Sequence, residues 1–474
     1  MHAPAATNRT FDEISVGDSA AIERTLTPND LVLFAHASGN LNPLHLEGRQ
    51  GEGDSDVAVA PGMWVATLLS AVLGNRLPGP GTLYKAQAIE FLGRAHVGDT
   101  LTASVTVREK RPPNIVVFDG TITNQRGETI AKAVCEVFAP TVRATLDRFA
   151  LPELVFRQHA KFDRLIAACE GLPGLPTAVV HPCDVPSLQG AVAAAKAGLI
   201  EPLLVGPEAK IRAAAKAAGI ALGGLQIFDT PHSHAAAARA VALVHEERAR
   251  AVMKGALHSD ELLAEIVKRE GGLRTRRRIS HVFVLDAPGL PQLLLVTDAA
   301  INILPDLMTK ADIVQNAIDL ARAIGIAKPK VAVMSAVETV NPAIPSSLDA
   351  AILSKMADRG QITGGLVDGP LAMDNAIDID AARTKGIVSA VAGMAEVLVV
   401  PNLEAGNMLA KNLTFVAHAD SAGLVVGAAV PVMLTSRADD ARARLASAAL
   451  AVLFNHWKTT GESAVRPLVP EPVA

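Results

Sequence analysis

LVVGAAVPVMLTSRADD, residues 424–440, is apolar for most of its length and then stops at Ser436, Arg437, Asp439 and Asp440. A parallel strand buried on both faces has this form when its carboxyl end opens into a ligand crevice. Other stretches follow the same rule. VPNLEAGN (400–407) stops at Glu404, Gly406 and Asn407, and DGPLAMDNA (368–376) carries Asp368 and Asp374. VTDAAINILPD (296–306) adds Asp298 and Asn302, and VMKGALHS (252–259) adds Lys254 and Gly255. So many separate runs ending in Gly, Asp, Asn, Ser and Arg point to one shared site rather than to unrelated turns.

Outward from these ends, βα alternation begins near residue 161. TAVVHP (177–182) and EPLLVGP (201–207) read as strands, GAVAAAKAGL (190–199) and EAKIRAAAKAAGI (208–220) as helices. ARARLASAALAVLFNHW (441–457) closes the pattern as a long amphipathic helix. This is the syntax of an α/β domain with a mostly parallel sheet. Residues 1–140 obey a different period. LTASVTVREK (101–110), NIVVFDGTITNQRGETI (114–130) and AKAVCEVFAP (131–140) alternate apolar and polar residues, with an Asn-Gln-Arg-Gly turn. One apolar helix, MWVATLLSAVLGNRL (63–77), precedes them, so an antiparallel sheet wrapped on a helix is expected. Residues 141–160 read as a linker or first helix, leaving 161–474 as the second domain.

The totals agree. A chain of 474 residues suits about three domains' worth of sequence at roughly 150 residues each. Half the residues are hydrophobic but only 3% aromatic, the mix of tightly packed α/β layers. A net charge of −4 argues against a nucleic-acid partner. The run Arg274-Thr275-Arg276-Arg277-Arg278 stands against that background, and suits either a solvated turn or a grip on ligand phosphates. Three cysteines without a CxxC disfavour a disulfide framework or zinc site and fit a reducing, cytoplasmic setting. No apolar leader opens the sequence, and the apolar runs 387–401 and 423–435 are shorter than the ~20 residues of a membrane helix. No metal is expected, and no membrane partner.

FAHASGNLNPLH (34–45), with FDEISVGD (11–18), APGMW (60–64) and LPGPGTLYKAQAIEFLGRAHVGDTLTA (77–103), resembles the MaoC-like enoyl-CoA hydratases of the hot-dog fold. The resemblance covers 1–140. It implies that an Asp and a His on this loop act on the water added to an enoyl thioester. Here the His is His45, but the Asp position is Asn40, and Pro61 stands where a His is more usual. A neutral amide cannot serve as general base. The domain is therefore expected to be weak or silent as a hydratase. It either binds thioesters or assembles the protein, and true bifunctionality is the rival reading.

MKG, LRTRRRISHVF, TDAAINILPDL, LSKMADRGQITGGLVDGPLAMDNA, VPNLEAGN and LTSRAD together resemble the phosphate acyltransferases, most closely the butyryl branch, over about 160–467. The resemblance implies a two-lobed α/β fold like that of isocitrate dehydrogenases, with the site in the cleft. It implies exchange of a short acyl group between coenzyme A and phosphate, with acyl-CoA, phosphate and acyl phosphate as ligands and no tightly bound cofactor. Asp439 or Asp440 is then the base that forms the CoA thiolate, Arg437 neutralises the phosphoryl group, and Ser436 hydrogen-bonds at the reacting centre. Lys254, Gly255, Arg277, Asp298, Asn302, Asp368, Asp374, Glu404 and Asn407 line the cleft. KNLTFVAH (411–418) lacks the Arg usual in the acetyl branch, which favours a larger acyl group. Interfaces on both domains imply a homo-oligomer of even order.

Overall fold

The computed structural model of this chain describes residues 6–46, 57–146, 160–434 and 441–466. The chain divides into two compact units, Met1–Leu154 and Val155–Ala474.

In the first unit a short strand β1 (Ala6–Thr7) precedes β2 (Ser19–Thr25), and helices α1 (Pro28–Ser38) and α2 (Gly62–Asn75) follow. Then come β3 (Leu83–Phe91), β4 (Thr100–Arg111), β5 (Ile115–Asn124), β6 (Thr129–Phe138) and β7 (Thr145–Leu146). The long strands form one antiparallel sheet in the order β2-β4-β5-β6-β3. Alternation decides which face is buried: Leu101, Ala103, Val105 and Val107 of β4 turn inward. They meet Trp64, Val65, Leu68, Leu69, Val72 and Leu73 of α2 in one core. Gly120 lets the helix come close, since a Cβ there would lie 3.0 Å from Leu69. The expected turn between β5 and β6 is tied by Asn124, whose side-chain oxygen accepts from the N–H groups of Arg126 and Glu128 at 3.0 Å each. Residues 141–146, at the start of the expected linker, return so that β7 pairs with β1.

α1 was not legible as a helix, yet its start is fully specified. Thr27 caps it: the Thr27 hydroxyl accepts from the Asp30 N–H and the Asp30 carboxylate accepts from the Thr27 N–H, with Pro28 at the first turn. Gly39 ends it in the left-handed region at φ 72°. This helix end delivers the loop carrying Asn40 and His45.

The second unit opens with α3 (Ala160–Ala167), β8 (Leu175–Val180), α4 (Val185–Lys196), β9 (Ile200–Gly206), α5 (Glu208–Ala218), β10 (Ile227–Asp229), α6 (Ser233–His245), β11 (Ala251–Lys254) and α7 (Ser259–Ile266). It continues through β12 (Ser280–Asp286), β13 (Leu294–Thr297), α8 (Leu307–Ala323), β14 (Lys330–Met334), α9 (Pro345–Asp358), β15 (Leu366–Leu371), α10 (Met373–Ile377), α11 (Ile379–Thr384) and β16 (Val397–Val399). α12 (Leu403–Lys411), β17 (Asp420–Val426), β18 (Val432–Met433) and α13 (Ala441–Thr460) complete it. The strands form one sheet in the order β10-β9-β8-β11-β18-β17-β12-β13-β16-β14-β15. Neighbours run parallel except around β17 and β12, each antiparallel to both its neighbours. That reversal separates two parallel blocks.

Alternation sorts the core. On one face Val179, Met253, Val282, Leu424 and Val399 join α13, whose Leu450 and Leu453 are fully buried, in one cluster spanning both blocks. On the other face the apolar residues form two clusters. Ala178, Val252, Val425 and Val432 belong to one, Leu285, Val296 and Leu398 to the other. The cross-strand pairs His281–Val425 and Phe283–Gly423 of β12 and β17 join them, Val425 within the first cluster and Phe283 packed against the second.

Candidate functional site

The boundary between those two clusters gathers part of the expected constellation. Asp298 follows β13 and is only 2% exposed. Its carboxylate accepts from the N–H of Ala300 at 3.0 Å, of Ile301 at 3.2 Å and of Asn302 at 2.9 Å, and from Asn302 Nδ2 at 2.5 Å. The His281 N–H also points to it, at 3.3 Å. Burial of a carboxylate is tolerated here because backbone donors surround it. Asn302 Nδ2 also reaches the Ile279 carbonyl at 2.9 Å, tying the turn to the start of β12. Asn407 reaches the same turn from α12, its Nδ2 donating to the Ala299 carbonyl at 3.3 Å. Gly406 lets α12 seat there: a Cβ at that position would lie 2.7 Å from Val400 and 2.9 Å from Ala299. Asp298, Asn302 and Asn407 are thus brought together, and Glu404 sits exposed one turn before Asn407.

His281 is the residue sequence reasoning missed. Its ring is wholly buried, crosses Phe283 edge-on at 4.4 Å between centroids, and lies over Gly423, where a Cβ would approach Nε2 to 2.6 Å. Its Nδ1 has no hydrogen-bond partner among the described residues. Burial pushes the imidazole down to about 4, and the Asp298 carboxylate opposes that shift only in part. The signal for it was a lone His inside the apolar string ISHVF, which composition alone makes indistinguishable from a core residue.

Lys254 ends β11 and is 8% exposed. Gly255 after it is obligatory: a Cβ would lie 2.5 Å from the Val180 carbonyl oxygen and 2.8 Å from that of His181. Ser436, Arg437, Asp439 and Asp440 lie outside the described residues. The last described strand before them places Met433 beside Met253, so the chain leaves the sheet next to Lys254 and Gly255.

Other expected residues go elsewhere. Asp368 is inside β15 rather than at its end, and accepts from the Gly369 N–H at 2.8 Å. β15 is separated from β13 by β16 and β14. Asp374 pairs with Lys385 at 2.9 Å, and that hydrogen bond holds its carboxyl below the usual range. Arg277 pairs with Asp319 at 2.5 Å. Among the described residues no hydrogen bond or ion pair joins any of these three side chains to the Asp298 turn.

In the first unit Asn40 is exposed, and its side-chain oxygen accepts from the Asn42 N–H at 3.2 Å. Asn42 in turn accepts from the Leu44 N–H at 3.1 Å. These two Asx turns present His45, whose Nδ1 lies 2.7 Å from the Val59 carbonyl oxygen. A carbonyl only accepts, so Nδ1 carries the proton and Nε2 is left as the basic atom. Among the described residues no group of three or more His, Cys, Asp or Glu could hold a metal ion. No described helix is long and apolar enough to cross a membrane.

Residues 233–452 match the family model described as phosphate acetyl/butaryl transferase, and residues 16–126 match the MaoC like domain. A phosphate acetyltransferase of Rhizobium meliloti is 63% identical over 297 residues, which is 63% of this chain and 94% of that protein. A phosphate butyryltransferase of Clostridium acetobutylicum is 42% identical over 62% of this chain and 97% of its own. Among solved structures, a branched-chain phosphotransacylase from Enterococcus faecalis superposes with a TM-score of 0.52 at 31% identity, covering 59% of this chain and 99% of that one.

Proposed function

From the phosphate acetyl/butyryltransferase family, to which this chain belongs, we infer reversible transfer of a short acyl group between coenzyme A and inorganic phosphate. The observation that carries this is 63% identity across nearly the whole of a phosphate acetyltransferase. The chain is accordingly an acyltransferase fused to an N-terminal MaoC-like hot-dog domain.

The chemistry needs a thiolate, a path for the leaving phosphoryl charge, and alignment. Only the thiolate form of CoA attacks a carbonyl effectively. Asp439 or Asp440 is the base in this reading, Arg437 offers a planar fork to phosphoryl oxygens, and Ser436 donates to the developing oxyanion. The buried turn of Asp298 and Asn302, held by Asn407, provides a fixed wall, and Lys254 a cation at the strand end where that segment begins. No covalent enzyme intermediate is required, so positioning supplies much of the effect.

Acyl preference is weighed by two observations that disagree. The missing Arg in 411–418 favours a larger acyl group, while the relative of higher identity bears the acetyl name. Identity over 297 residues outweighs one position, so acetyl-CoA is the first substrate to try. A two-lobed, isocitrate-dehydrogenase-like cleft fits the reversal at β17 and β12. A domain boundary within residues 141–160, a cytoplasmic setting and an even homo-oligomer complete the reading.

The hot-dog domain is assigned no more than weak hydratase activity. His45 has a basic Nε2, but Asn40 has no titratable group to share the two proton transfers. Bifunctionality is the second reading, and the ordered His45 tautomer is what favours it.

The test is phosphate-dependent release of CoA thiol from acetyl-, propionyl- and butyryl-CoA by the full-length protein. Release with at least one of them is expected. Release from none, by folded protein, overturns the assignment.

A further inference from the structure

Four of the five residues 274–278 are arginines, and among the described residues only one of them forms an ion pair. Arg277 pairs with Asp319. Arg274, Arg276 and Arg278 are exposed, and among the described residues their side chains make no hydrogen bond or ion pair. The nearby acids are already engaged. Asp306 caps α8 by accepting from Thr309 at 2.8 Å and feels the Arg278 charge, Asp312 accepts from the Arg278 N–H at 2.9 Å, and Asp319 also binds Gln315 at 3.0 Å. Lys458, whose ammonium is pushed down first by burial and then by Arg277, adds a further cation beside the loop.

A solvated turn carrying surplus charge would gain by being loose. This one is pinned at four of its five residues. Arg274 bridges Ala428, and the Thr275 hydroxyl donates to the Gly427 carbonyl at 2.6 Å. The Arg277 N–H donates to the Thr275 hydroxyl at 3.1 Å, and the Arg278 carbonyl accepts from Asn316 Nδ2 at 2.9 Å. Gly427, at φ 87°, leaves the space, since a Cβ there would lie 2.4 Å from the Arg278 carbonyl oxygen. A fixed backbone holding several guanidinium groups together, with acids that offset only part of their charge, is destabilising by itself and becomes favourable when an anion neutralises them.

The loop leads directly into Ile279, whose carbonyl holds Asn302, and His281, beside Asp298. It therefore stands at the rim of the candidate site, outside the buried turn. Inorganic phosphate and acyl phosphate carry their charge at the reacting centre. Coenzyme A carries most of its charge far from the thiol, on a diphosphate and a 3′-phosphate. We propose that Arg274, Arg276 and Arg278 bind the 3′-phospho-ADP end of coenzyme A while its thiol lies in the candidate site. This rests on the acyltransferase reading. Arg277 keeps the loop in place through Asp319 and is not itself the ligand-binding member.

The test compares full-length protein with the double variant Arg274→Ala/Arg276→Ala, using KM values for acetyl-CoA, its 3′-dephospho analogue and inorganic phosphate. Two lost charge-assisted contacts should raise the KM for acetyl-CoA by about tenfold or more. The penalty should shrink for the dephospho analogue, and the KM for inorganic phosphate should stay within about twofold. The lysine pair at the same positions should restore part of the loss, because charge survives but the fork does not. An unchanged KM for acetyl-CoA overturns the proposal, and so does a rise confined to inorganic phosphate. If the wild-type protein shows no phosphate-dependent CoA release, the acyltransferase reading fails separately. Calorimetric titration with CoA then decides this proposal: tighter binding by wild type than by the variant upholds it, and equal or absent binding overturns it.

Discussion

Replacing Gly255 by Ala is the sharpest structural probe of the site. The added Cβ would stand 2.5 Å from the Val180 carbonyl oxygen and 2.8 Å from the His181 carbonyl oxygen, where ordinary contact begins at 3.4 Å. Both obstacles are backbone and cannot rotate away. The strand end must move, and two hydrogen bonds are strained with it: Gly255 N–H to Val180 at 2.9 Å and Ala256 N–H to His181 at 2.9 Å. Overpacking typically costs about 1–3 kcal/mol and each weakened hydrogen bond up to about 1 kcal/mol, so about 3 kcal/mol is expected. For a unit of this size, with an unfolding entropy of roughly 0.7 kcal/mol per kelvin, that lowers the melting midpoint by roughly 4–5 °C. Lys254 moves with the strand, and a displacement near 1 Å should cut turnover by about 100-fold. Gly223→Ala is the control, since nothing lies within 4 Å of its Cβ, and it should change stability by less than about 0.5 kcal/mol. Thermal melts followed by calorimetry, with phosphate-dependent CoA release on the same samples, read both effects. A Gly255→Ala protein with wild-type melting and turnover would refute the close-approach argument and Lys254's place in the site.

Three other outcomes are expected. Arg437→Ala should lower turnover by about 100-fold or more, the scale of losing one donor to developing charge, with Lys rescuing only partly; near-normal rates remove Arg437 from the chemistry. Asn40→Asp should raise crotonyl-CoA hydration at least about tenfold by restoring a titratable partner to His45, whereas rapid hydration by the unaltered protein would show that Asn40 is no obstacle. His281 is held near 4 in the folded chain against 6.5 when solvated, so its contribution to stability is intact above 6.5 and is lost as the pH falls toward 4. Melting midpoints at pH 7 and pH 5 should accordingly fall less for His281→Leu than for wild type, and equal falls would place the imidazole in contact with water.

What was legible in the sequence follows the strength of local pattern. β4, β5 and β6 alternate with a solvated face, so their period shows through, and β8, β9 and α13 appear within a few residues of their expected limits. β3 did not read as a strand, because at the sheet edge it is exposed along nearly its whole length and has no apolar period to display. α4 starts at Val185, ahead of the 190–199 that apolar spacing indicates, because its start is set by Asp184 accepting from the Ser187 N–H. Asp298, Asn302 and Asn407 were legible as polar residues at strand ends and do converge. Asp368 shared the signature but lies within its strand, and Arg277 is spent on Asp319. A string of residue types cannot reveal which charges are already paired. His281 was hidden for a related reason: only the fold shows that Gly423 makes room for it and that no described group meets its Nδ1.

The most direct test is to mix the full-length protein with acetyl-CoA and inorganic phosphate and follow the phosphorus resonances together with free thiol. Acyl phosphate should appear in step with CoA, one for one, and the reaction should run backward when acetyl phosphate and CoA are supplied instead. Thiol release that continues without phosphate, or that yields no acyl phosphate, would contradict acyl exchange between coenzyme A and phosphate.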